Sequence, residues 1–64
     1  MNANEFLEYI EENFNISGEA LRLIGNILDY AEIHIEPIEQ YGYLCEMLEG
    51  TIGLSDREIR RISL

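Results

Sequence analysis

Lysine, valine and tryptophan are missing from this chain of 64 residues, and cysteine, histidine and proline occur once each. With Cys45 alone there is no internal disulfide, and with His34 alone there is no Cys/His set at zinc-binding spacing. A small core here has neither of the usual covalent or metal staples. No uncharged run is long enough to span a bilayer. The first residues carry Glu5 and Glu8, where a signal peptide would carry Lys or Arg. These absences together predict a cytoplasmic, soluble protein.

What is present is aliphatic and acidic. Ten Ile and eight Leu lift the apolar fraction to 47%, too much for a disordered acidic tail. The length predicts one small acidic helical domain over residues 1–64, exposing roughly 4,200 Å² when folded. Thirteen acids against four Arg give a net charge of −9. Residues 1–50 hold 11 acids and Arg22, a balance of −10. Residues 51–64 hold Asp56 and Glu58 against Arg57, Arg60 and Arg61, a balance of +1. Such a field repels nucleic acid and anionic lipid, so a basic protein surface is the expected complement.

Capping chemistry predicts four helices. The fullest signal is Leu54-Ser55-Asp56-Arg57-Glu58-Ile59, with Ser55 and Glu58 as a reciprocal box and Leu54 stapled onto Ile59. Asn2 with Glu5 forms a second box, and Ser17 caps a third start without a reciprocal Glu. Pro37 suits the first position of another helix. The predicted elements are helices at about 3–13, 18–34 and 37–49, plus a short one at about 56–62. Phe6, Leu7, Ile10 and Phe14 form the inward stripe of the first. Leu21, Ile24, Leu28 and Ala31, flanked by Leu23, Ile27 and Tyr30, make the second broad enough to be central. Ile38, Tyr41, Cys45 and Leu48, with Leu44 beside them, are the predicted inward set of the third, and Gly50 its stop. Ile59 and Ile62 point inward from the last. Gly25 and Gly42 fall inside helices, and close approach of neighbouring helices is their expected reason. The fold class is all-α, a compact bundle.

The search for chemistry returns little. His34 and Cys45 could form one nucleophile–base pair, but each has a plain structural reading: a helix C-terminus and an apolar stripe. Glu32, Glu36 and Glu39 lack the alternation of a calcium loop, and Gly50-Thr51-Ile52-Gly53 lacks the Lys of a phosphate loop. No catalytic residue, cofactor or metal is expected. The segment 53–62 resembles the first helix of a helix-turn-helix, with no second helix after it within the chain.

The carboxylates carry the functional expectation. Glu5, Glu8 and Glu12 share one helix face with Glu11 beside them, and Glu32, Glu36 and Glu39 extend the acidic surface with Asp29, Glu46 and Glu49. Four helical residues rise about 6 Å, of the order of phosphate spacing along a strand. Tyr9 and Tyr43 are the aromatic candidates for partner contact, since tyrosine is enriched at interfaces. In size, acidity and helical content the chain is similar to the small inhibitors of phages and mobile elements, such as anti-CRISPR and anti-restriction proteins. The expectation is a non-enzymatic binder whose acidic face replaces phosphates in the basic cleft of a nucleic-acid-binding enzyme. The alternative is a homo-oligomeric module, in which a second copy covers the apolar arc of helix 2 and Arg57, Arg60 and Arg61 meet its carboxylates.

Overall fold

Each helix begins where a side chain or a proline ends the preceding extended residue. In the computed structural model, which describes residues 1–64 apart from the side chain of Thr51, α1 is Ala3–Asn13, α2 Gly18–His34, α3 Pro37–Ile52 and α4 Asp56–Ile59. Asn2 caps α1 in a complete box: its Oδ1 accepts from the Glu5 amide at 2.9 Å, and the Glu5 carboxylate accepts from the Asn2 amide at 3.2 Å. Ser17 accepts from the Ala20 amide at 3.1 Å. Pro37 opens α3 from Glu36, whose extended backbone is the conformation a following proline favours.

Two boundaries differ from expectation. The third helix runs through Gly50 and stops at Gly53, which takes the left-handed conformation (φ 68°, ψ 26°) and donates to the Glu49 carbonyl at 3.0 Å. The later stop sets Ile52 one turn beyond Leu48, half-buried against the core. At the other end α4 closes at Ile59 rather than 62. Arg61 and Ile62 then donate to the Glu58 and Ile59 carbonyls in tight three-residue turns. Beyond them the Met1 ammonium donates to the Arg61 carbonyl at 2.8 Å, and the Ser63 amide donates to the Met1 carbonyl. This pairing draws residues 61–63 out of the helical path and onto the start of α1.

The connections of two to four residues make successive long helices antiparallel. α2 packs against both α1 and α3, and α4 packs against α3. One buried cluster takes Phe6 and Ile10 from α1, Ile24, Ile27, Leu28 and Ala31 from α2, Leu44 and Leu48 from α3, and Leu54 and Ile59 from the C-terminal segment. The stripe of α1 is the one the periodicity predicts, and so is the face of α2 with Leu21, Ile24, Leu28, Ala31 and Ile27, but Leu23 and Tyr30 beside it are exposed, so the buried arc of α2 is narrower than expected. In α3 the register is rotated. Leu44 and Leu48 are its buried residues, Cys45 is half-buried, Tyr41 is exposed, and Ile38 is 88% exposed. Ile38 belongs to the first turn, where the side chain of Gln40 covers the end of α2 instead. Its Nε2 donates to the carbonyls of Ala31 and Ile35 at 3.0 and 2.9 Å; the first already accepts from the Ile35 amide, and the second lies past the last turn of α2, where no helical amide reaches it.

The chain exposes 4431 Å² with a radius of gyration of 10.6 Å. Both lie within about 6% of what scaling gives for a monomer of this length, about 4,200 Å² and 10.7 Å. No described helix is long and apolar enough to cross a membrane.

Candidate protein-binding surface

The acidic residues must be read against what their few cations are doing. Among the described residues there are two ion pairs, both inside the C-terminal segment: Arg60 Nε to Asp56 Oδ2 at 2.9 Å, and Arg61 to Glu58 at 3.8 Å. The same arginines lie over aromatic rings, Arg60 4.9 Å from the Tyr41 centroid and Arg61 4.8 Å from that of Tyr9. The tyrosines complete the arrangement. Tyr9 donates to Glu58 Oε2 at 2.7 Å, and Tyr41 donates to Asp56 Oδ1. Cys45 Sγ lies 3.5 Å from that same carboxylate oxygen. α4 is thus clasped from two sides, to α1 through Tyr9 and to α3 through Tyr41.

The electrostatic consequences follow the hydrogen bonds. The Tyr41 hydroxyl, then the Arg60 guanidinium, hold the Asp56 carboxyl below the usual carboxylate range. Donation to Asp56 pushes the Tyr41 phenol up, and donation to Glu58 does the same for Tyr9, because ionising either phenol would set two anions side by side. The Arg60 guanidinium is raised by Asp56.

This clasp corrects the expected Ser55 box. Ser55 Oγ accepts from the Glu58 amide at 3.4 Å, but the Glu58 carboxylate is turned onto Tyr9 and Arg61 instead of returning to Ser55. A charge-assisted bond between α1 and α4 replaces a local one. It also gives Tyr9 an internal task. Tyr43, half-buried, stacks on Tyr30 with centroids 5.7 Å apart. His34 lies against Tyr30 at 4.7 Å while the Cys45 sulfur faces Asp56, so these two do not form a reactive pair.

The remaining candidates stand in two groups on separate elements. Glu5, Glu8, Glu11 and Glu12 are exposed along α1, and Glu32, Glu36 and Glu39 are exposed around the α2–α3 turn. Glu5 is partly engaged in the Asn2 box. None of the seven has an ion-pair partner among the described residues. Arg57 is exposed and outside both ion pairs, whereas Arg60 and Arg61 are engaged within their own chain.

A cleft between α3 and the residues after α4 is lined by Pro37, Gln40, Tyr41, Leu44, Ile59 and Ile62. Of its polar side chains Gln40 is held at the end of α2 and Tyr41 on Asp56, which leaves the Ser63 hydroxyl, so it presents no convergent reactive set. Among the described residues no three His, Cys, Asp or Glu side chains converge as metal ligands would. Sequence reasoning missed Gln40 and the tyrosine clasp; no spacing rule signals bonds between residues up to 49 positions apart. No family model matches this chain, and no curated protein or solved structure matches it either.

Proposed function

We infer that this chain is a non-enzymatic acidic binding module acting in the cytoplasm, whose α1 face occupies a basic, nucleic-acid-binding cleft of a partner protein. The carrying observation is the row Glu8, Glu11 and Glu12, exposed and without an ion-pair partner among the described residues, beside Glu5 at the cap. Repulsion among like charges this close destabilises a helix by a few tenths of a kcal/mol per pair. A basic partner turns that repulsion into attraction and gains on-rate from it. An anti-CRISPR or anti-restriction role, in a phage or mobile element, is the concrete form of the reading.

The test is charge reversal away from the cap. The triple variant Glu8→Lys, Glu11→Lys, Glu12→Lys keeps the Asn2–Glu5 box and should keep the helical circular dichroism. Wild-type protein should retain a nucleic-acid-handling protein from nuclease-treated lysate, released by moderate salt or by competing DNA. The variant should bind that protein at least about tenfold more weakly, a loss of about 1.4 kcal/mol. Equal affinity of the folded variant would sink the reading.

One observation favours a homo-oligomer as a second reading. Leu23 and Tyr30, on the flank of α2, remain 47% and 50% exposed. A second copy covering them would show as a concentration-dependent dimer mass in sedimentation. Leu23→Ser would return it to the mass of one chain.

A further inference from the structure

The outward side of α3 combines three features that nothing inside the molecule accounts for. At 100° per residue, the side turned away from Leu44 and Leu48 carries Ile38, Glu39, Gly42, Glu46 and Glu49, all of them exposed. Ile38 is the most exposed large hydrophobic residue described. Gly42 stands in the middle of the helix, where glycine is less stable than alanine. A Cβ there would meet nothing within 4 Å, and its backbone is not in the left-handed region, so neither packing nor conformation requires glycine. Close approach of a neighbouring helix therefore does not explain it, whereas at Gly25 a Cβ would touch Leu7 Cδ1 at 3.7 Å. Glu39, Glu46 and Glu49 have no ion-pair partner among the described residues. Glu49 lies toward the C-terminal end of α3, where the macrodipole disfavours an anion and the last turn supplies no basic residue.

We propose that this face of α3 is the docking site for a cationic amphipathic helix of a partner protein. The partner's backbone passes over Gly42, where the missing side chain lets two helices approach closely. Its apolar stripe covers Ile38. Its Lys and Arg residues meet Glu39, Glu46 and Glu49, whose rises of about 10.5 and 4.5 Å match basic positions seven and three apart on a facing helix. Nucleic acid and anionic membranes are repelled by the same carboxylates. A second copy would bring like charge to like charge. The proposal rests on the reading of this chain as a binder of basic protein surfaces and does not require the α1 face.

The test uses the whole labelled protein and a synthetic amphipathic peptide of Lys, Arg and Leu, with a scrambled peptide of equal composition as control. In amide correlation spectra the helical peptide should shift Ile38, Gly42, Glu46 and Glu49, and the scrambled one should do so far more weakly. Gly42→Ala should raise the thermal midpoint by about 4–8 °C, the gain expected from alanine in an open helix position. It should also weaken peptide binding by at least about fivefold, from overpacking at the contact. Ile38→Ser should weaken binding with the fold unchanged. A stabilised Gly42→Ala protein that binds as tightly as wild type overturns the proposal, as does equal response to both peptides. Shifts confined to Glu8–Glu12 overturn it and leave the α1 reading standing. Shifts confined to α3 do the reverse.

Discussion

Asp56 gathers three donors onto one exposed carboxylate, the Tyr41 hydroxyl, the Arg60 guanidinium and the Cys45 thiol. Solvent screens such contacts, so their weight lies in geometry: they decide where α4 sits. The pH dependence has a definite sign. A carboxyl whose folded pKa is lowered contributes stability above its unfolded value, about 3.9, and loses it as pH falls through the folded value. Asp56→Asn keeps the shape and removes the charge. The variant should unfold at lower temperature than wild type at neutral pH, and the gap should close below about pH 4. A gap that persists in acid would mean that charge at Asp56 does not matter. The phenols have the opposite sign. Tyr9 and Tyr41 are raised, so their contribution is full below about pH 10 and fades as pH rises from there toward the folded values. Tyrosinate absorbance measured alongside helicity should show the two changing together.

At the scale of elements, the start of a helix is a local event and was legible from local residues. The starts of α1, α2 and α3 follow from Asn2, Ser17 and Pro37, because a cap acts on amides within three residues. What was not legible depended on which helices meet. Glu58 could serve Ser55 or Tyr9, and only the fold that brings the Tyr9 hydroxyl within reach of α4 decides it. Gly50 is the stop that local residues suggest, and Gly53 takes that role because Ile52 has a core to join. The acidity of the candidate surface was plain from composition; the exposed Ile38 was misread, because its spacing from Tyr41 and Cys45 suits a buried stripe as well. The caps now rank differently. Asn2→Ala breaks a complete box on an 11-residue helix. It should cost about 1 kcal/mol and lower the thermal midpoint by about 4–8 °C. Ser55→Ala removes one 3.4 Å bond from a four-residue helix and should cost less. Thermal denaturation of both variants, followed by circular dichroism, checks the order; a larger loss for Ser55→Ala would reverse it.

For the whole molecule, charge and size act together. The fold measures 30 × 20 × 20 Å and carries a net charge of −9. At about 0.01 M salt the screening length is about 30 Å, so every carboxylate feels every other; at about 1 M it is about 3 Å and only neighbours remain. Self-repulsion of this kind is a standing cost to the compact state. For 64 residues the total stability is on the order of 3–10 kcal/mol, small enough for that cost to be visible. Sodium chloride between these limits should therefore raise the thermal midpoint, contrary to a protein held by surface ion pairs. It should weaken attachment to a basic partner over the same range, since the charges that repel one another are those the partner meets. Unfolding curves and binding isotherms in matched buffers would read both effects. A midpoint that falls with salt would mean that favourable pairs outweigh the repulsion, and the acidic faces would then lose their claim to a partner. Opposite slopes for stability and affinity are the expected signature of carboxylates placed for binding at the expense of the fold.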